Sequence, residues 1–349
     1  MKRQPILSIC IATFNRGRYI SQTLDHIIPQ LMDDTELLVV DGASTDDTEI
    51  ILNRYAAREP RLRYVRLPQK GGVDQDYSKA VEMASGEYCW IFTDDDLLKP
   101  GAVEAVLAKT ASQPSLIVVN ADVWNADFTR LITERMIKVD RDRLYDNSEF
   151  EVLFMDTVNY LSFIGGVVIR RDLWMQRDIT QYFGSEFVHI GVIFQAPLPG
   201  KAILLSTPFI SIRYGNAQWI SRNFEIWMYK WPRLIWSLRG IAPIVKQSII
   251  PREPWRKPLI LLTKRATRTY SLTEFRKFLL KERMGLLSQL TALFIAMLPF
   301  RLLNALLTRF VKRSARHTSD LFLYDLLLAN QRSSPLIPAK NPSRRVPNA

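Results

Sequence analysis

The sequence predicts an α/β fold, a doubly wound mixed sheet flanked by helices and followed by a helical, basic C-terminal region. Two patterns carry the first part: short β-rich apolar runs alternate with stretches of helical periodicity, and each run ends in a polar loop. Alternation of this kind implies crossover helices on both faces of the sheet. Charge carries the second part. From Arg213 onward 25 Lys+Arg stand against 6 Asp+Glu, whereas residues 1–212 hold 22 against 29. An acidic body joined to a basic segment predicts an anionic partner for that segment, lipid or nucleic acid.

Ile6 to Ala12 is strand-like, too short for a helix, and opens into Thr13-Phe14-Asn15-Arg16. Tyr19 to Leu31 sets Ile20, Leu24, Ile27, Ile28 and Leu31 at helical spacing. Glu36 to Val40 is a strand ending in Asp41-Gly42-Ala43-Ser44, Asp47 to Arg58 a helix, and Leu62 to Leu67 a strand. Lys70-Gly71-Gly72 is a loop before a helix from Val73 to Ser85, stopped by Gly86. Tyr88 to Phe92 reads as a buried strand ending in Thr93-Asp94-Asp95-Asp96. A helix from Ala102 to Lys109 and a strand from Leu116 to Asn120 follow, then a weakly periodic stretch, Asp122 to Phe150, expected to be irregular with short strands. Gly165-Gly166 permits close backbone approach beside another strand, and Ile203 to Trp219 is a strand with a polar end. Cys10 and Cys89 lie in apolar runs without metal or redox spacing and read as reduced core residues.

Ligands collect at the carboxyl ends of strands in such sheets. The loops at Thr13 to Arg16, Asp41 to Ser44, Lys70 to Gly72 and Asp94 to Asp96 are therefore expected to share one cleft. Each alone is an ordinary connection. Phe14 offers a ring for a nucleotide base, Asp41 an acceptor for base or ribose, and Arg16 and Lys70 charge for phosphate. Three adjacent carboxylates repel one another and resist burial unless a cation offsets them. Oxygen-only ligands favour Mg²⁺ or Mn²⁺, which keep waters and take up substrate phosphates. The competing reading is a solvated acidic turn capping the next helix. Neither GxxxxGK[ST] nor GxGxxG occurs, so the P-loop and dinucleotide fingerprints are absent from the sequence.

Ser8 to Arg16, Glu36 to Thr48, and Ala84 to Tyr88 with Thr93-Asp94-Asp95-Asp96 resemble, in order and spacing, the family 2 glycosyltransferases of the GT-A fold. The resemblance implies a nucleotide-sugar donor, a divalent metal on the acidic motif and transfer with inversion. Carried over by position, Thr13, Phe14 and Asn15 line the nucleotide pocket and Asp41 holds the base. Asp94 falls on the ribose side, with Asp95 the foremost metal ligand and Asp96 beside it. The common form is Asp-x-Asp-Asp, and Thr93 stands here in place of its first Asp. The family's catalytic carboxylate comes later at a helix start, where this chain reads Gly184-Ser185-Glu186-Phe187-Val188-His189. Glu186 and His189, at i and i+3, would share a helix face, and either is a candidate base for the acceptor hydroxyl, Glu186 first. An Asp or Glu elsewhere in 122–186 stays open for that role. Ile203 to Trp219 is similar to the last strand of bacterial transferases that add sugars, including dideoxyhexoses, to O-antigen, which puts Arg213, Asn216 and Trp219 near the diphosphate or the acceptor.

Beyond Phe224, five residues (Trp227, Tyr229, Trp231, Trp236 and Trp255) interleave with Lys and Arg, which suits a membrane interface or single-stranded nucleic acid. Met284 to Phe300 favours the membrane. It carries no charge, lies between Lys281/Arg283 and Arg301, and is short for a spanning helix of about 20 apolar residues. An interfacial helix or hairpin on anionic lipid fits better; helices packed on the catalytic body are the plain alternative. The expected organisation is a transferase domain over 1–220, a basic, aromatic-rich membrane-associating region over 221–332 and a disordered tail over 333–349. No leader pattern opens the chain, so the expected location is the cytoplasmic face of the inner membrane, held peripherally. The expected function is sugar transfer from a nucleotide donor to a polyprenyl-diphosphate-linked oligosaccharide, with no nucleic acid partner. A metal-dependent nucleotidyltransferase and a non-catalytic nucleotide-sugar-binding scaffold are the alternatives.

Overall fold

Four of the apolar runs line up as parallel strands in the order β3-β2-β1-β4: β1 (Leu7–Thr13), β2 (Thr35–Asp41), β3 (Leu62–Arg66) and β4 (Tyr88–Phe92). Every residue of β4 is buried, as expected of an inner strand covered on both faces. The crossovers are α1 (Gly17–Ile27), α2 (Thr48–Ala56) and α3 (Val73–Met83). Helix α1 buries Ile20, Leu24 and Ile27, the positions its spacing marked. The computed structural model describes residues 4–216, 218–313 and 320–331.

The other half of the sheet is mixed. After β5 (Leu97–Leu98) and α4 (Ala102–Thr110), β6 (Leu116–Asn125) is followed by the short β7 (Leu131–Thr133) and β8 (Arg143–Tyr145). Then come α5 (Phe150–Thr157), β9 (Val167–Arg170), α6 (Arg171–Gln176), α7 (Val188–Phe194) and β10 (Ala202–Tyr214). Strand β9 runs antiparallel between β4 and β6, and β10 lies parallel to β6 and antiparallel to β5 and β8. Strand β6 continues past Asn120, where polar sequence predicted a break. The reason is β10, whose residues Ile210 to Tyr214 pair with Ala121 to Asn125 beyond a bulge that begins at Leu205. Pro208 sits inside that bulge, where its missing N–H costs no ladder bond. The glycine pair packs tightly, as its sequence predicts: a Cβ on Gly166 would come 2.7 Å from the Tyr160 hydroxyl, and Trp90 Nε1 donates to Gly165 O at 2.8 Å.

Past β10 come the one-turn α8 (Asn223–Glu225), a π-helical turn at Ile226–Lys230, α9 (Trp231–Ser237) and α10 (Pro243–Ile249). The chain divides between Pro254 and Trp255 into two compact units, so residues 221–254, assigned by composition to the basic region, fold with the first. The second unit holds α11 (Pro258–Ala266), α12 (Leu272–Lys277), α13 (Leu286–Met297), α14 (Phe300–Arg313) and α15 (Asp320–Gln331). Its core gathers Ala266, Val311 and Leu326. Asn304, fully buried, donates from Nδ2 to Ala266 O and Leu326 O at 2.9 Å each, which fixes α14 against two neighbours. The expected tail, 333–349, lies outside the described residues.

Candidate active site

Strands β1 and β2 end level, with Thr13 opposite Asp41, and their loops are knitted together. Asn15 N donates to Ser44 Oγ at 2.8 Å, that hydroxyl donates to Asp41 Oδ1 at 2.6 Å, and Asn15 Oδ1 accepts Thr45 N at 2.7 Å. Asn15 (φ 54°) and Ala43 (φ 63°) both adopt the left-handed conformation. That costs a side-chain-bearing residue about 1–2 kcal/mol, and such strain clusters at functional loops. Lys70 Nζ lies 3.6 Å above the centre of the Phe14 ring, and Asp76 holds the third loop by accepting Gly71 N at 3.0 Å. Thr13, Phe14, Asn15 and Lys70 are thus brought together as the strand-end rule required.

Asp41 is also here, but not as a free acceptor. It is fully buried and receives Ser44 N (2.8 Å), Ser44 Oγ (2.6 Å), Tyr64 OH (3.0 Å) and Arg66 Nη1 (3.1 Å). A carboxylate has about four lone-pair sites, and all are taken. The expectation that it holds the nucleobase is corrected: Asp41 shapes the loop that carries Asn15 and Ser44. Burial and the Asp41 charge together push the Tyr64 phenol well up, so the phenol stays a donor.

The aspartate run separates into three roles. Arg16 reaches Asp94 Oδ1 through Nε and Asp95 Oδ2 through Nη2, both at 3.2 Å, and Asn216 Nδ2 donates to Asp95 Oδ2 at 2.7 Å. Burial, then the Asp95 charge, push Asp94 up to about 7 against the pull of Arg16. Asp96 faces inward: Oδ1 accepts Arg213 N at 2.6 Å and Oδ2 accepts the Thr93 hydroxyl. That corrects its assignment as a metal ligand. Thr93, in place of the family's first Asp, is what closes off Asp96.

Arg213 is corrected as well. Its Nε donates to Asp95 O at 2.8 Å, Nη1 to Ala126 O at 2.6 Å and Nη2 to Gln22 Oε1, while its plane lies between the rings of Tyr19 and Phe128. A guanidinium so engaged anchors the acidic turn from behind and has no fork left for a diphosphate.

Glu186 precedes α7 and sits at φ 72°, so it does not share a helix face with His189. Asp74, in the first turn of α3, accepts Glu186 N and Val188 N at 2.9 Å each, which ties this segment to the loop bearing Lys70. Burial pushes the Glu186 carboxyl up, but Lys230 (2.8 Å) and Arg222 (2.6 Å) outweigh it and hold the group below its ordinary value. Gln218 Nε2 reaches Phe14 O and Asn15 O at 3.4 and 3.3 Å, so residues after β10 link the Thr13–Asn15 loop to Glu186.

His189 is not at the site. It is 1% exposed, and its Nε2 donates to Leu161 O at 2.7 Å. Burial holds its pKa down to about 4, from 6.5, with the Leu161 carbonyl opposing. The unfolded chain takes up this proton first, so the neutral ring contributes stability that is whole above pH 6.5 and is lost as pH falls through 4. The loss amounts to about 3 kcal/mol. His189→Gln is expected to flatten the pH dependence of urea unfolding over that window by this amount. Parallel curves for the two proteins would exclude it.

Sequence reasoning gave no place to Asp74, whose only signal was a first-turn acid on α3. It also left Asp122 unnamed within an open range. Asp122 is 5% exposed; its Oδ2 receives Lys99 Nζ and its Oδ1 has no partner. Ser211 pairs with Asp122 on one side and Leu97 on the other, which sets this carboxylate next to the acidic turn.

Residues 8–173 match the family described as glycosyl transferase family 2. Chondroitin synthase from Escherichia coli is 34% identical over 127 residues, 36% of this chain and 18% of that protein, so the chain spans less than a fifth of that relative's length. Abequosyltransferase RfbV from Salmonella typhimurium is 25% identical over 226 residues, 60% of this chain and 67% of that protein. Among solved structures, the mannosyltransferase PcManGT from Pyrobaculum calidifontis, in complex with GDP-Man and Mn²⁺, superposes with a TM-score of 0.52 over 95% of this chain and 87% of that one, at 17% identity. The fold is accordingly GT-A, and residues 8–173 of the chain are similar to glycosyl transferase family 2.

Proposed function

We propose that the protein transfers a sugar from a nucleotide donor to a polyprenyl-diphosphate-linked oligosaccharide at the cytoplasmic face of the inner membrane, with inversion at the anomeric carbon. The observation that carries the donor half is the placement of Asp94 and Asp95 beside one arginine, at the same strand ends as the Thr13–Asn15 loop. Names of the relatives, a chondroitin synthase and an abequosyltransferase among them, support the sugar-transfer chemistry.

Mg²⁺ or Mn²⁺ fits this site. Two buried carboxylates share a single arginine, and the elevated Asp94 pKa reports the charge they lack. Among the described residues no three His, Cys, Asp or Glu groups converge to hold a metal. Asp95, assisted by Asp94, would hold the ion, leaving its other positions to water and the donor diphosphate. When bound, the metal supplies positive charge for the departing nucleoside diphosphate. Lys70 and Arg16 add charge from the chain itself, and Phe14 offers its ring to the base.

Glu186 is the proposed base for the acceptor hydroxyl. Lys230 and Arg222 keep it ionised, so the acid limb of the rate profile is expected below pH 4.5. Glu186→Gln is expected to lower kcat about 10²–10⁴-fold with donor affinity unchanged. The unpartnered Asp122 oxygen favours a second reading. If Asp122→Asn loses turnover and Glu186→Gln keeps it, the base is Asp122. The enclosing test is nucleoside diphosphate release from CDP-, UDP-, GDP- and dTDP-sugars with Mn²⁺ or Mg²⁺. Tight donor binding without turnover on any acceptor would favour the scaffold reading instead.

A further inference from the structure

The second unit carries an apolar surface that its described residues leave exposed. Helix α13 carries no charged residue and is largely apolar, but only one side of it packs: Ala292, Ile295 and Ala296 are buried. Leu286, Leu287, Leu290, Phe294 and Met297 are each more than half exposed. At 3.6 residues per turn these five fall within about 100° of one another, opposite the buried three. Helix α14 repeats the arrangement, with Asn304 and Val311 inward and Leu302, Leu306 and Phe310 exposed in an i, i+4, i+8 row. Arg309 and Arg313, both exposed, lie beside that row, and exposed Arg301 and Lys312 stand about 80–100° round the helix from Leu302. Contiguous exposed apolar surface of this kind marks an interaction site.

Charge selects the occupant. From Trp255 to the end of the chain 18 Lys+Arg stand against 4 Asp+Glu, and apolar rows edged by cations match the boundary between headgroups and acyl chains of an anionic bilayer. Spanning is a poorer fit: no single helix among the described residues is long and apolar enough to cross, and α13 and α14 meet at 91°. We infer that α13 and α14 lie in the plane of an anionic membrane, inserting Leu286, Leu287, Leu290, Phe294, Leu302 and Phe310 among the lipids while Arg301, Arg309, Lys312 and Arg313 meet the headgroups. A polyprenyl-linked acceptor would be presented at the same surface, but the binding itself needs neither donor nor metal and stands or falls apart from sugar transfer.

The test is co-sedimentation of the full chain with vesicles of phosphatidylcholine, alone or with 30% phosphatidylglycerol, at low and high salt. Binding is expected to the anionic vesicles only and to weaken with salt. Leu290→Asp with Phe294→Asp, at positions that touch solvent, is expected to weaken partitioning at least tenfold without shifting the thermal midpoint. Replacing the four cations of α14 by Gln is expected to abolish the preference for phosphatidylglycerol. An environment-sensitive dye on Leu290→Cys is expected to shift to the blue with anionic vesicles, since Cys10 and Cys89 are buried and do not label. Unaltered partitioning of the double Asp variant would overturn the inference. So would a wild-type chain that ignores both vesicles, or a dimer in light scattering that the double Asp variant dissolves while vesicles bind neither form, in which case a second copy covers this face.

Discussion

Asp95→Ala is expected to lower nucleoside diphosphate release by about three orders of magnitude, with the far-ultraviolet dichroism spectrum unchanged. The size follows from removing charge stabilisation at a leaving group, which typically costs 10²–10³ or more in turnover. The Asp95 carboxylate is the only one of the three aspartates joined on one oxygen by both a guanidinium and an amide, Arg16 at 3.2 Å and Asn216 at 2.7 Å. Both partners are side chains, which can turn aside for an incoming cation in a way that backbone donors cannot. Asp96, held by a backbone N–H, lacks that freedom. Initial rates over a donor panel and titration of Mn²⁺ in the presence of nucleotide check the point. Activity within tenfold of wild type would remove Asp95 from the metal and the present account of the donor site with it.

Arg213→Met is expected to destabilise the first unit by about 3–5 kcal/mol, the cost of breaking a buried charged network from one side. Arg213 is 7% exposed, and its guanidinium satisfies two backbone carbonyls, Asp95 O and Ala126 O, that would be left without donors. The thermal midpoint should fall by roughly 10 °C, since 1 kcal/mol moves a domain of this size by about 2–4 °C. Nucleotide affinity below the transition should change little. A loss of donor affinity with an unchanged midpoint would return Arg213 to the diphosphate.

Much of this architecture was legible from local pattern. Short apolar runs and period-3.6 spacing placed β1 to β4 and their crossovers, and the strand-end rule gathered Thr13, Phe14, Asn15, Lys70 and the aspartates before any coordinates. The extension of β6 to Asn125 was not legible, because its partner is β10, some 90 positions away in register, Ile212 opposite Val123. Sequence separation, here 28 positions, also hid the behaviour of His189, whose Leu161 carbonyl comes from another element.

By itself the sequence determined the order of elements, a family resemblance over its first half, and which side chains of chemical interest stand at which strand ends, since turn residues and periodicity are local properties. Only the tertiary structure decided which of those side chains remain free. Asp41 is consumed by Tyr64 and Arg66, Asp96 by Arg213, and Arg213 by Asp95, Ala126 and Gln22. A carboxylate or guanidinium offers the same groups in any sequence; what it can bind depends on the donors and acceptors folding has already brought to it, and those arrive from residues far along the chain.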